Sequence, residues 1–185
     1  MTCIVGIATG DQVLIGADSA GTGGWDQRIR SDLKVFTNGP MVFGFTTSFR
    51  MGQLLRYKLN IPTRSADIPD DLGYMCGPFI DAVRQALKEG GFATTKDGGE
   101  VGGTFLVGYK AALYCIQSDY QVEMTAEPYN AVGCGHAYAL GSLHGSAKLK
   151  PIERITAALE AAAHFSAGVG GPFTVVTGGK SNPNP

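Results

Sequence analysis

The chain has 185 residues, a length that suits one domain and can bury a substantial core without disulfides or a structural metal. Hydrophobic residues make up 44% and charged residues 17%, which excludes an intrinsically disordered chain. The net charge of -1 gives no electrostatic reason to expect nucleic acid or an anionic membrane, and no segment is apolar for long enough to span a bilayer as a helix.

Residues 3–8 and 13–18 read as two strands joined by a turn at Thr9-Gly10-Asp11. Both are nearly continuous apolar runs, the pattern of strands buried on both faces, and the second ends in the carboxylate of Asp18. Thr22-Gly23-Gly24-Trp25-Asp26 reads as a loop, and Ile29 to Phe36 as a weaker strand that contains Lys34. After a turn at Asn38-Gly39-Pro40, residues 41–46 form another strand. Ser48 suits the N-cap of an amphipathic helix from Phe49 to Leu59, with Met51, Leu54 and Leu55 inward.

Residues 60–69 form a linker. A second helix is expected from Asp71 to Lys88, kinked or divided at Gly77-Pro78. Gly90 to Gly103 is a glycine-rich, charged loop and the expected mobile segment. Thr104 to Tyr109 and Ala112 to Ile116 make a hairpin, Gln121 to Ala126 extends the sheet, and Tyr129 to Val132 is a short strand. Gly133-Cys134-Gly135 leads into a helix from His136 to about Gly145, and Pro151 opens another that ends near Phe165. Phe173 to Thr177 is the last strand, so that 1–177 form one domain and 178–185 a disordered tail.

This order (strands, two helices, strands, two helices, a strand) is not the one-for-one alternation of a doubly wound parallel sheet. It points to an α+β fold with helices over both outer faces of stacked sheets. The N-terminus lacks the basic region and length of a signal peptide. Cys3, Cys76, Cys115 and Cys134 have no paired short spacing and read as reduced, mostly buried thiols of a cytoplasmic protein. His136, His144 and His164 follow no metal-ligand spacing, and neither a phosphate loop nor a dinucleotide fingerprint is present, so no metal or cofactor is expected.

The residue with the clearest chemistry is Thr2. With Met1 removed it carries a hydroxyl and a free α-amine on one carbon. An unperturbed α-amine has a pKa of about 7.7–8, so near neutral pH part of it is a usable base for the hydroxyl beside it.

Thr2 before a strand, then Gly16-Ala17-Asp18-Ser19-Ala20-Gly21-Thr22-Gly23, then Lys34 before an apolar strand, resembles the proteasome β-subunit superfamily, and within it the short bacterial peptidases of the HslV type. The likeness runs through nearly the whole chain in element order. It implies an N-terminal nucleophile (Ntn) hydrolase with a four-layer αββα sandwich. It makes Thr2 the nucleophile, and Asp18 and Lys34 a buried charged pair beside it. Thr22 matches the position that pairs a substrate strand through its backbone. Thr47 is the nearest match to the oxyanion donor, at the start of a helix that suits negative charge. The pattern departs in three places. Thr46-Thr47-Ser48 stands where the family has a glycine-rich turn. Cys134 stands where a serine supports the terminal amine, and a thiol is the weaker partner. The late aspartate and serine are not kept in place in Ser166-Ala167-Gly168-Val169-Gly170-Gly171. The resemblance implies a threonine-type endopeptidase acting on peptide or unfolded protein, assembled as a homo-oligomeric ring and fed by an ATPase. A proteasome-like scaffold of weak or no activity and a small-molecule amidohydrolase remain open alternatives.

Overall fold

The computed structural model describes residues 1–96 and 98–180. The strands are β1 (Cys3–Ala8), β2 (Val13–Ala17), β3 (Ala20–Gly23), β4 (Asp26–Ile29), β5 (Val35–Asn38) and β6 (Met41–Phe45). Helix α1 (Phe49–Tyr57) follows, then α2 (Asp71–Tyr74) and α3 (Ile80–Glu89). Next come β7 (Thr94–Lys96), β8 (Gly99–Val101), β9 (Phe105–Tyr109), β10 (Ala112–Ile116), β11 (Val122–Glu123) and β12 (Tyr129–Gly133). Helices α4 (His136–Gly145) and α5 (Pro151–Phe165) and strand β13 (Thr174–Gly178) complete the order.

The strands form two main antiparallel sheets, β12-β1-β2-β13 and β11-β10-β9-β6-β5. Strand alternation explains why β1, β2 and β6 are apolar throughout. Ile4, Val13, Ile15 and Val42 meet Leu106 and Leu113 in a cluster drawn from both sheets. Cys3, Val5, Ile7 and Leu14 point the other way, onto Ala139 and Leu143 of α4 and Ile155 and Leu159 of α5. Met41, Phe43 and Phe45 on the opposite face of β6 pack with Met51, Leu54 and Leu55 of α1 and Val83 and Leu87 of α3. Each sheet is therefore apolar on both sides, and the chain is α+β.

The approach of the two sheets is close enough to dictate glycine. A Cβ on Gly44 would lie 2.5 Å from Ile4 Cγ2 and 2.6 Å from Ile15 Cγ2. Gly44→Ala is expected to destabilise by about 1–3 kcal/mol through overpacking, lowering the urea midpoint with an unchanged slope. A midpoint equal to that of the unsubstituted protein would show that the sheets separate without cost.

Several elements differ from the sequence reading. The segment expected to be a loop at Thr22–Asp26 is the tip of a two-stranded ribbon, with Thr22 opposite Gln27. All four residues of β4 are exposed, so no alternation marked it. Lys34 sits just before β5 and not within a strand. Pro78 does divide the long helix: its missing N–H is absorbed in a widened π turn, Met75–Phe79, between α2 and α3. The glycine-rich loop holds the small hairpin β7-β8, and the strand expected over 121–126 is only Val122–Glu123. Two of the four cysteines, Cys76 and Cys134, are exposed, not buried. Gly178, expected in the tail, ends β13, and the Gly179 carbonyl accepts the Ala111 N–H. Residues 181–185 of the expected tail lie outside the described residues.

Candidate active site

Strand β1 lies between β12 and β2, so Thr2 hangs from the end of an interior strand and is only 6% exposed. The register Ile4↔Ala17 puts the residue after β2 opposite Cys3. That residue is Asp18. Its Oδ1 accepts the Cys3 N–H at 3.0 Å and a Lys34 Nζ proton at 2.7 Å. Its Oδ2 accepts the N–H groups of Ala20 at 3.1 Å and Gly170 at 3.3 Å. A buried carboxylate with four donors is fully satisfied and fixed in place.

Lys34, 2% exposed, also donates to the Ala20 carbonyl at 2.6 Å. Its third N–H has no protein acceptor among the described residues. Burial pushes the Lys34 ammonium below its ordinary pKa, while the Asp18 carboxylate works against that shift. The peptide N–H that joins Thr2 to Cys3 shares one oxygen with the lysine, so the charged pair is built against the backbone that follows Thr2.

Around Thr2 itself, the hydroxyl donates to the Met1 carbonyl, and the amide N–H points to Cys134 Sγ at 3.3 Å. Cys134 Sγ in turn lies 3.4 Å from the Thr2 carbonyl and 3.5 Å from Ser166 Oγ. Cys134 thus lies against the backbone N–H of Thr2. Ser166 is the residue that the sequence reading missed. Together with the Gly170 N–H on Asp18, it brings the 166–171 segment into the site from the end of α5. Gly133 makes this approach possible. Its φ is 98°, and a Cβ there would fall 2.2 Å from the Thr2 carbonyl oxygen. Burial, with the Asp18 charge adding to it, pushes the neighbouring Cys3 thiol up to about 12.

A cleft of about 100 Å³ opens over Thr2, lined by Thr22, Phe45, Thr46, Thr47 and Phe49 among others. Thr47 has φ 61°, a left-handed conformation that glycine adopts freely and a β-branched residue does not. Such strain costs on the order of 1–3 kcal/mol. It is offset where Thr47 Oγ1 accepts the Thr104 N–H at 3.1 Å and meets Thr46 Oγ1 at 3.1 Å. The turn therefore keeps a glycine's backbone while carrying a threonine side chain. The Thr47 N–H donates no hydrogen bond among the described residues, and the next residue, Ser48, caps α1. Thr22 Oγ1 is buried without a hydrogen-bond partner among the described residues. Thr22 lines both the Thr2 cleft and a larger one of about 620 Å³ along the β3-β4 ribbon.

No protein-family model and no curated protein matches the chain. Solved structures do. BPH from Thiobacillus denitrificans, in complex with epoxomicin, is 17% identical, with 98% of this chain and 100% of that one covered and a TM-score of 0.78. HslV from Trypanosoma brucei is 18% identical over 95% of this chain and 98% of that one, with a TM-score of 0.63. Anbu from Pseudomonas aeruginosa, solved as a helical assembly, is 19% identical over 96% of this chain and 80% of that one, with a TM-score of 0.62. The chain has the fold of the proteasome-like Ntn-hydrolase superfamily.

Proposed function

We propose that the chain is a threonine-type N-terminal nucleophile hydrolase, an endopeptidase that cleaves peptide bonds with Thr2 once Met1 is removed. The observation that carries this reading is the buried Lys34–Asp18 pair, held at 2.7 Å, with Asp18 on the peptide N–H that follows Thr2. Fold support alone would not distinguish an enzyme from a scaffold. In the proposed reaction the Thr2 hydroxyl attacks the scissile carbonyl carbon and passes its proton to its own α-amine. That proton then goes to the leaving amine, and water hydrolyses the ester left on Thr2. The Thr47 N–H receives the developing oxyanion at the start of α1. Thr22 pairs with the substrate backbone on the acyl side.

The finer features go with this reading: a four-layer αββα sandwich, cytoplasmic location, a homo-oligomeric ring and an ATPase that supplies unfolded substrate. Native mass spectrometry of the purified protein reads the ring, and a monomer would remove that part. The support for assembly is that Anbu forms a helical one. Epoxomicin on BPH supports an electrophile as the probe. Intact mass before and after incubation with an epoxyketone should show loss of Met1 and one adduct per chain. A second reading, a scaffold with little activity, is favoured by the threonine side chain at the oxyanion turn and the thiol at Cys134. Loss of Met1 without an adduct would select it.

A further inference from the structure

A second cavity, of about 430 Å³, lies beyond Thr46, in the size range of small-ligand sites, roughly 300–1,000 Å³. Thr46 lines both this cavity and the Thr2 cleft. Thr22 and Phe49 line both the Thr2 cleft and the ribbon cleft. The ribbon cleft and the second cavity share no residue. The three hollows therefore form a run with Thr2 in the middle. Gly133, whose missing side chain makes room for the Thr2 carbonyl, is also in the wall of the second cavity.

The polar groups of this cavity are matched to a cation. Glu123 stands at its centre of charge. Gln117 Nε2 donates to Glu123 Oε2 at 2.7 Å, and Asn130 Nδ2 approaches Oε1 at 3.5 Å. Glu123 has no lysine or arginine partner among the described residues. Two neutral amides orient the carboxylate without cancelling its charge. At the rim, His136 Nδ1 lies 2.8 Å from the Gly133 carbonyl and donates to it, which leaves Nε2 without a hydrogen-bond partner among the described residues. Leu140 supplies apolar wall for an aliphatic stem. Cys115 also lines the cavity, but among the described residues no three histidine, cysteine or carboxylate side chains are grouped to hold a metal ion. A long, basic side chain satisfies both the charge and the shape.

We propose that the Glu123 cavity is a subsite for a lysine or arginine side chain on the leaving side of the scissile bond. This rests on the peptidase reading and makes it specific, since it sets which peptides are cut. The side follows from Thr22: if β3 pairs with the acyl side, the cavity across Thr46 takes the other.

The test is a peptide library with lysine, arginine, norleucine or glutamate placed in turn on each side of a fixed cleavage site, with products mapped by mass spectrometry. Thr2→Ala protein is the blank. The expected result is Thr2-dependent cleavage that favours a basic residue over norleucine on the leaving side by roughly tenfold, the scale of one charge-assisted contact in a half-open pocket. Glu123→Gln should bring that ratio near one. Glu123→Lys should reverse it, favouring glutamate over lysine, an outcome that misfolding cannot produce. Thr2-dependent cleavage with no basic preference, or with a preference unmoved by Glu123→Lys, would overturn the subsite and leave the peptidase reading intact. No Thr2-dependent cleavage of any peptide would overturn both.

Discussion

Thr2→Ala is expected to abolish peptide hydrolysis, by at least about 10⁴-fold in kcat/KM, and to remove the epoxyketone adduct. The magnitude follows from the role. The hydroxyl is the bond-forming atom, and the remaining donors can only polarise a carbonyl that nothing attacks. Stability should change by no more than about 1 kcal/mol, because the hydroxyl's one hydrogen bond is to Met1, which leaves. Alanine at position 2 still permits Met1 removal, so intact mass separates loss of the nucleophile from loss of processing. Product mapping of a cleaved peptide, variant against parent, is the measurement. Cleavage retained at the parent rate would put the chemistry elsewhere and end the N-terminal nucleophile mechanism.

How much of this site was legible depends on how its parts are connected. Thr2 and Asp18 are joined by one tight turn between apolar runs, so the β1-β2 register is fixed locally and brings Asp18 to Cys3. Lys34 carries the next step because a lysine before an apolar strand is visible as a type and a spacing. The contributions of Ser166 and Gly170 come from more than 130 positions away, through the packing of α5 onto β1 and β2, and one of them is a backbone N–H that no side-chain identity reveals. The sequence did expose Thr47 as a departure from glycine. It could not say that the backbone would hold φ 61° regardless, since that depends on the Thr104 N–H donated from the start of β9. The β3-β4 ribbon was hidden for a different reason. Its residues are mostly exposed and glycine-rich, so the alternation that marks a half-buried strand never arises. The helical and core-strand order was legible because those elements bury one stripe or two faces, which periodicity records.

Lys34→Met is expected to reduce hydrolysis to background at pH 7 and to destabilise the fold by about 3–5 kcal/mol, as removal of one member of a buried ion pair does. The penalty arises because Asp18, 1% exposed, keeps its three backbone N–H partners but loses its counter-ion. The double variant Asp18→Asn/Lys34→Met should recover much of the stability, since no uncompensated charge remains, and none of the activity. That split separates a structural role from a chemical one, which the single variant cannot do. The chemical role also has a pH signature. Lys34 shares Asp18 Oδ1 with the N–H of Cys3, the residue after Thr2, so its ammonium is expected to repel a proton on the α-amine of processed Thr2 and lower that pKa, leaving more of the base neutral at pH 7. With Lys34 gone, the amine returns toward its ordinary value of about 7.7–8, and any residual rate should rise through a correspondingly higher pH than in the parent. The pH–rate profile of kcat/KM under single-turnover conditions reads this directly. A Lys34→Met protein that is folded, as active as the parent and unchanged in profile would make the buried pair a structural clamp, and the base of Thr2 would then owe nothing to it.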